Sequence, residues 1–112
     1  MPNIELVGRL CDEIDRQFND DASLTARFPD CPAANGESTR TLMTFVKDRP
    51  GHDRRYAICA DKLCRELDFR ADTTLADGLA RTVSWYLANE AWWRAVQNGA
   101  YRDWLALQYS TA

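Results

Sequence analysis

The chain has 112 residues, 46% of them hydrophobic and 11% aromatic, which is typical of one folded domain and not of a disordered segment. Its 14 basic and 17 acidic residues give a net charge of −3, which argues against a nucleic-acid-binding protein because such proteins need a basic face. No apolar run approaches the roughly 20 residues that cross a bilayer, and the first residues do not have the layout of a signal peptide. We therefore expect a cytoplasmic protein with no membrane partner.

The first half of the chain predicts a helix, a long loop and a strand. Apolar residues recur every three or four positions from Ile4 to Phe18, which predicts a helix with Asn3 as its N-cap. Residues 19–40 show no period and contain two prolines and an Asn-Gly pair, which predicts a loop that is either mobile or held by something outside this chain. Residues 41–46 are rich in β-branched and aromatic side chains and predict a strand.

The second half predicts a short extended piece and three helices. Residues 56–58 form a second strand candidate, and residues 60–67 predict a short helix with Leu63, Cys64 and Leu67 facing inward. The stretch from Thr74 to Asp77 has the form of a capping box, and it opens a helix that runs through the pair of tryptophans at 92 and 93. Asn98-Gly99 predicts a helix stop, and residues 100–109 predict a last short helix.

The four cysteines and the single histidine exclude common metal patterns. Cys11, Cys31, Cys59 and Cys64 include no close CxxC pair, and one histidine does not complete the usual zinc motifs. We therefore predict free thiols and no metal site. The aromatic residues between 85 and 109 could form a stacking platform for bases, but large side chains at helical spacing are more often core or interface.

A charged turn, VKDRPGHDRRY at 46–56, is the stretch with the clearest chemical content. The guanidinium of Arg49 can hold two phosphate oxygens at once, Pro50 fixes one backbone angle, and Gly51 lets backbone N–H groups approach a ligand. His52 can donate to, or stack on, a ring or hydroxyl, and Asp48 can orient a neighbouring base. From residue types alone, a solvated turn between two strands is the commoner structure.

Longer motifs add a family resemblance. VKDRPGHDRRYAI, then TxxxGLxxTVxWYLAN, and then the tail WWxxxxxGAYRxWL resemble, in order and spacing, the C-terminal region of the dTDP-glucose 4,6-dehydratases, which are extended short-chain dehydrogenases/reductases. The resemblance covers almost the whole chain apart from the 19–40 loop. It implies an α+β fragment of an α/β parent, mostly helical with a short strand pair, in which residues 1–112 form one C-terminal substrate-binding region.

The resemblance also implies a dTDP-sugar site. In that family the residues matching Asp48, Arg49, Pro50, Gly51 and His52 line the nucleotide-sugar site. The residue matching Asn3 reaches the nucleotide too. Carried over by position, Arg49 grips the diphosphate, while Asn3 and His52 place the thymidine part.

Parts needed for the family's lyase reaction are missing from this sequence. The glycines stand at 8, 36, 51, 78 and 99, so no GxxGxxG motif for NAD can be written. Lys47 and Lys62 are preceded four positions earlier by Met43 and Ile58, so the Tyr-x-x-x-Lys pair is absent too. The Asp12-Glu13 pair lies within the first helix and is interpreted as a solvated face. We predict that the Rossmann domain is absent and that this chain alone supplies no catalytic residue and binds no NAD, the cofactor of the full-length family.

Three functional hypotheses follow. The leading one is a dTDP-glucose-binding region that is inactive as a single chain, from a truncated, split or deliberately shortened enzyme. The second is an interaction or oligomerisation module, in which the aromatic stripe of Trp85, Trp92, Trp93 and Trp104 pairs with a second copy. The third is half of a split enzyme that assembles in trans with a separate NAD-binding domain.

Overall fold

The computed structural model describes residues 1–47, 50–51 and 56–97. In chain order its α-helices are α1 (Asn3–Asp20), α2 (Ser23–Arg27), α3 (Asp61–Leu67), α4 (Leu75–Ala88) and α5 (Glu90–Gln97). Two 3₁₀ helices, Pro32–Asn35 and Thr39–Leu42, lie between α2 and α3. The mostly helical character predicted from the sequence is confirmed. Among the helices described, none is long and apolar enough to span a membrane.

Helix α1 begins one residue earlier than predicted. Pro2 occupies the N-cap with φ −64° and ψ 149°, and its carbonyl accepts hydrogen bonds from the backbone N–H groups of Glu5 and Leu6. Asn3 is the first helical residue, so its predicted role as N-cap is wrong. The proline ring fixes φ at a value that suits a helix start, and Glu5 places a carboxylate at the positive end of the helix dipole.

The segment 19–40 is largely helical, which corrects the prediction of a structureless loop. It contains α2 and the first 3₁₀ helix, which has Pro32 at its start and is followed by Gly36 at φ 78°, and it leads into the second. The segment is held by the chain's own α1, because Thr39 is only 3% exposed and contacts the backbone of that helix. The Asn35-Gly36 pair therefore ends the first 3₁₀ helix. Glycine suits position 36 because it adopts the left-handed conformation without a steric cost.

The predicted strand pair is not found in the described residues. Residues 43–47 and 56–60 have no regular secondary structure, and the start of the first predicted strand is part of the second 3₁₀ helix. Phe45 is 88% exposed and Ile58 is 97% exposed. A two-stranded ribbon is marginal in water unless a third strand or a helix covers it, so β propensity alone does not hold these segments together.

Helix α3 has the predicted position but not the predicted burial. Leu63 is 40% exposed, Leu67 is 72% exposed, and Cys64 is exposed, so the inward-facing stripe expected here is wrong. The helix ends at Asp68, whose φ of 48° lies in the left-handed region. A helix this short gains little stability from its own hydrogen bonds and normally depends on packing against a neighbour.

Helix α4 starts at the predicted capping box. The Thr74 hydroxyl accepts from the Asp77 backbone N–H at 3.1 Å and donates to the Asp77 carboxylate at 2.7 Å. The predicted helix through residue 93 is two helices, because Asn89 interrupts it and its side-chain amide donates to the Trp85 carbonyl at 2.7 Å. The predicted stop at Asn98-Gly99 and the predicted helix at 100–109 lie outside the described residues.

A small core forms where α1 packs against α4 and the two 3₁₀ helices, and α2 packs against the first of these. The buried hydrophobic residues are Cys11, Phe18, Leu24 and Val83. Gln17 fixes the α1–α4 contact with both ends of its side chain. Its amide nitrogen donates to the Ala80 carbonyl at 3.0 Å, and its amide oxygen accepts from the Ser84 hydroxyl at 3.1 Å.

The capping box predicts a stability change. Thr74→Ala removes the acceptor for the Asp77 N–H and should lower the free energy of unfolding by about 1 kcal/mol. Thr74→Ser keeps a hydroxyl at this position and should lie within about 0.5 kcal/mol of the parent. Urea denaturation followed by circular dichroism measures both variants, and equal losses would contradict the capping role.

Candidate functional site

The segment from Thr39 to Phe45 runs back along α1 towards its N-terminus. The Thr39 hydroxyl lies 3.1 Å from the Cys11 carbonyl in the third turn of the helix. Arg40 reaches Asp12 and lies over Gly8, one turn earlier. Met43, Thr44 and Phe45 then line a groove beside the first residues of the helix. The chain therefore approaches the charged turn from the end of α1 that carries Asn3.

This Asn3 groove has a volume of about 310 Å³ and is open to solvent. It is lined by Asn3, Ile4, Val7, Met43, Thr44 and Phe45. Ile4 is 51% exposed and Val7 is 39% exposed, so the floor of the groove is apolar but not covered. One amide and one hydroxyl on an apolar surface with an aromatic ring are groups that can bind a flat, polar-edged ring.

Asp15 joins the returning segment to α1. Its Oδ1 accepts from the Thr39 backbone N–H at 2.9 Å and from the Thr39 hydroxyl at 2.7 Å. Its Oδ2 accepts from the Ser38 hydroxyl at 2.7 Å. Ser38 is also the N-cap of the second 3₁₀ helix, since its oxygen accepts from the Arg40 N–H. One carboxylate thus fixes both the start and the position of that 3₁₀ helix.

Arg40 adds a second link one turn away. Its Nε and Nη2 donate to the two carboxylate oxygens of Asp12, each at 2.7 Å, in a bidentate pair. A Cβ at Gly8 would lie 2.8 Å from Nη1 of Arg40, so the missing side chain is what lets the guanidinium lie on the helix. We call Asp12, Asp15, Ser38, Thr39 and Arg40 the carboxylate clamp. Asp12 is therefore a tertiary ion-pair partner, which the interpretation of a merely solvated face did not anticipate.

The clamp lowers the pKa of both of its carboxyl groups. For Asp12 the main cause is the hydrogen bond from Arg40, whose own pKa is raised by the same contact. For Asp15, burial raises the pKa, but the hydrogen bonds from Ser38 and Thr39 together outweigh burial and leave the pKa lowered. Both groups are thus stabilised as carboxylates, the form that accepts these hydrogen bonds.

The predicted site residues are only partly within the described chain. Asn3 lines the groove, while Pro50 and Gly51 form an exposed turn in which Gly51 has φ 72°. A side chain at position 51 would meet no heavy atom within 4 Å, so glycine is needed there for its backbone angle and not for space. Asp48, Arg49 and His52 lie outside the described residues, and their predicted roles stay predictions.

A second cavity lies in the core and has a different character. About 390 Å³ in volume, it is bounded by α1, α4 and α5 and lined mostly by apolar side chains, including Phe18, Phe28 and Trp93. The rings of Phe28 and Trp93 stack with centroids 6.4 Å apart, and the Trp93 indole donates to the Tyr86 carbonyl at 2.9 Å. None of the described residues that line this cavity is charged, so they are unsuited to a diphosphate.

The described residues do not fit a bound NAD. A dinucleotide needs a glycine-rich turn at a helix N-terminus, where backbone N–H groups face the pyrophosphate. In this structure α1 begins after Pro2, and the N-terminus of α4 is closed by the Thr74 side chain. Within the described residues there is also no group of three or more histidine, cysteine or acidic side chains that could hold a metal ion. The described cysteines are free thiols, as predicted.

Sequence reasoning missed the carboxylate clamp. Ser38, Thr39 and Arg40 were not singled out, because their segment was interpreted as a loop that is mobile or held by something outside this chain, and Asp15 was treated only as part of the first helix. A local signal did exist, since serine is a favoured N-cap residue, and the Ser38 oxygen accepts from the Arg40 backbone N–H in the structure. Nothing in the sequence indicated which part of α1 this turn would contact.

Sequence comparisons identify relatives of this chain. A dTDP-glucose 4,6-dehydratase of Escherichia coli is 40% identical over 107 residues, which cover 96% of this chain and 26% of that protein. The chain is a relative of the dTDP-glucose 4,6-dehydratases. Proteins of the same name from Neisseria meningitidis serogroup B and Xanthomonas campestris pv. campestris are 41% and 39% identical over 100 residues, 89% of this chain and 25% of each relative. The resemblance stated from the sequence is confirmed.

The match is partial in extent. The chain spans about a quarter of the length of the dTDP-glucose 4,6-dehydratases it matches. No protein-family profile matches the chain, and no solved structure matches it.

The lowered pKa values of Asp12 and Asp15 predict a pH dependence of stability. A carboxyl group whose folded pKa lies below its unfolded value stabilises the fold above the unfolded value, and this contribution is lost as the pH falls through the folded value. We expect the free energy of unfolding to decrease from about pH 5 downward, and to decrease less steeply in Asp15→Asn. Denaturant titrations at several pH values test this, with Asp72→Asn as the control at an exposed carboxyl outside the clamp. Parallel profiles for the parent and Asp15→Asn would contradict it.

Proposed function

We propose that this chain is the C-terminal substrate-binding region of a dTDP-glucose 4,6-dehydratase-like lyase and that it binds a dTDP-sugar. The observation that carries the proposal is the return of residues 39–45 along α1 to Asn3. Asn3 and the charged turn were predicted as one site although about 45 positions separate them. A chain path that leads from the clamp to the Asn3 groove, and from there into the turn, supports their joint use.

The groups available suit the parts of a nucleoside diphosphate. Phe45 offers a ring face and Asn3 an amide, which together match the flat surface and polar edge of thymine. Arg49 offers the planar fork of donors that binds two phosphate oxygens, and Gly51 allows the backbone a close approach. His52 would donate a hydrogen bond to the nucleoside. Asp48 would orient a neighbouring basic side chain.

The remaining parts of the reaction are assigned to protein outside this chain. The family resemblance implies an extended short-chain dehydrogenase/reductase that uses NAD, and we propose that NAD and the catalytic groups are supplied by a Rossmann domain that this chain does not contain. The chain alone is then inactive and binds its ligand weakly. Loss of most of the pocket contacts would move the dissociation constant from micromolar to millimolar, about 4 kcal/mol. A cytoplasmic location is part of the same proposal.

Calorimetric titration with dTDP tests the ligand assignment. We expect Arg49→Ala to weaken dTDP binding by at least tenfold, because a charge-assisted hydrogen bond to a phosphate contributes about 1.5–3 kcal/mol. Arg70→Ala is the matched control, since Arg70 is an arginine whose side chain is 88% exposed and whose carboxylate neighbour, Asp68, is 3.8 Å away. Equal affinity of the parent and both variants would remove the role of Arg49, and no binding by the parent would overturn the proposal.

The aromatic residues of α4 and α5 favour a second candidate, an interaction module. Trp85 is 45% exposed and Trp92 is 56% exposed, and their rings meet edge to face with centroids 5.3 Å apart. Tyr86, 48% exposed, contacts Trp85 in the same way at 5.2 Å. Exposed tryptophan and tyrosine side chains are enriched at protein interfaces, where they contribute much of the binding energy.

Sedimentation velocity over a range of concentrations tests this second candidate. If the tryptophan pair mediates self-association, the double variant Trp85→Ser/Trp92→Ser should remain monomeric where the parent dimerises. Ile58→Ser is the control, because Ile58 is 97% exposed and lies outside the aromatic cluster. A parent that is monomeric at every concentration would exclude pairing with a second copy. Assembly in trans is tested separately, by activity that arises only when a Rossmann domain of a dehydratase is added.

A further inference from the structure

We infer that Asp15 is a positioning residue for the dTDP-sugar site, although it lies far along α1 from Asn3. The inference rests on the proposed function and adds to it the group that sets the position of Met43, Thr44 and Phe45 beside Asn3 in the groove. Asp15 is itself outside the Asn3 groove. Its effect on a ligand would therefore be transmitted through the segment that begins at Ser38.

The contacts of Asp15 are of a kind that fixes backbone position. It accepts a backbone N–H and two hydroxyl groups, and all three belong to the adjacent residues Ser38 and Thr39. Thr39 is the one buried polar residue among those described, at 3% exposure. Hydrogen bonds to a carboxylate are stronger than hydrogen bonds between neutral groups. A buried polar group that loses its partner destabilises the folded state.

Two stretches of chain connect this contact to the groove, and their lengths are nearly equal. Asp15 and Asn3 lie twelve positions apart on one continuous helix, which is about 18 Å at 1.5 Å per residue. The returning segment covers Thr39–Leu42 as a 3₁₀ helix, about 2 Å per residue, and then three extended steps of about 3.3 Å to Phe45. These lengths add to roughly 16 Å. A displacement of Thr39 would thus be passed on to Phe45.

The ion pair between Arg40 and Asp12 also joins the returning segment to α1, but it contributes less to stability. Their side chains are 47% and 58% exposed, and exposed ion pairs contribute little because water and salt screen them. The contact also requires glycine at position 8, as described above. Asp15 is the half-buried partner that holds a backbone group, and the inference is therefore assigned to it and not to Asp12.

The experiment combines amide hydrogen exchange with an NMR-detected dTDP titration of the full chain. In Asp15→Asn, one carboxylate oxygen becomes a donor, so the side chain can no longer accept from both Ser38 and Thr39. We expect faster exchange of the Thr39 and Thr41 amides, unchanged exchange in α4, and a dTDP affinity lowered about tenfold. Asp20→Asn, on the last turn of the same helix and outside the clamp, should leave dTDP affinity unchanged.

Two further measurements separate positioning from general destabilisation. Thr39→Val keeps a buried side chain of similar shape but removes the hydroxyl, and it should lower dTDP affinity in the same direction; it also serves as the test if Asp15→Asn does not fold. In the parent, dTDP affinity should fall as the pH is lowered through the folded pKa of Asp15, and this fall should be smaller in Asp15→Asn. Equal affinity in the parent and both variants, with faster Thr39 exchange, would overturn the inference alone. Absence of dTDP binding by the parent would instead overturn the proposed function, and the inference with it.

Discussion

The hydrogen bonds that Asp15 accepts from Ser38 and Thr39 join parts of the chain 23 and 24 positions apart. Without them, the 3₁₀ helix Thr39–Leu42 would be held against α1 only by the exposed Arg40–Asp12 pair and the contact of Thr39 with the Cys11 carbonyl, and so short a helix is not stable by itself. With them, the charged turn is reached from the side of α1 that carries Asn3. The chain path into the candidate site therefore depends on the carboxylate clamp, in which Asp15 is the partner that holds a backbone N–H group.

The apolar core is too small to account for the whole structure. Of the residues that the structure describes, four hydrophobic side chains are buried, whereas Phe45, Ile58 and Leu67 are more than 70% exposed. The radius of gyration is 18.6 Å, compared with about 13 Å for a compact domain of this length. Polar contacts such as the clamp and the Gln17 bridge thus carry a larger share of the organisation than they do in a compact domain, because little apolar surface is removed from water.

Sequence reasoning succeeded where local signals decide the structure and failed where distant contacts do. The spacing of apolar residues predicted α1, and the Thr74–Asp77 capping box predicted the start of α4, because both act within a few residues. The segment 19–40 was missed since its 3₁₀ helices are held by α1, and no short-range pattern encodes that partner. The strand pair was wrong because the high β propensity of Phe45 and Ile58 has an effect only when a sheet covers them. Of the candidate site, the sequence provided Asn3 and the Pro50–Gly51 turn, but not the carboxylate clamp that leads from one to the other.

The proposed ligand site and the exposed aromatic side chains of α4 and α5 lie in different parts of the described chain. Trp85, Tyr86 and Trp92 leave a large apolar surface exposed to water. Such surfaces associate with whatever apolar surface is available, including a second copy. Ligand binding and self-association are therefore not competing explanations, and they depend on different residues. The groove and clamp involve Asn3, Phe45 and Asp15, whereas the edge-to-face pair involves Trp85 and Trp92. Variants at one set should leave the other property unchanged, because sites without shared contacts contribute additively.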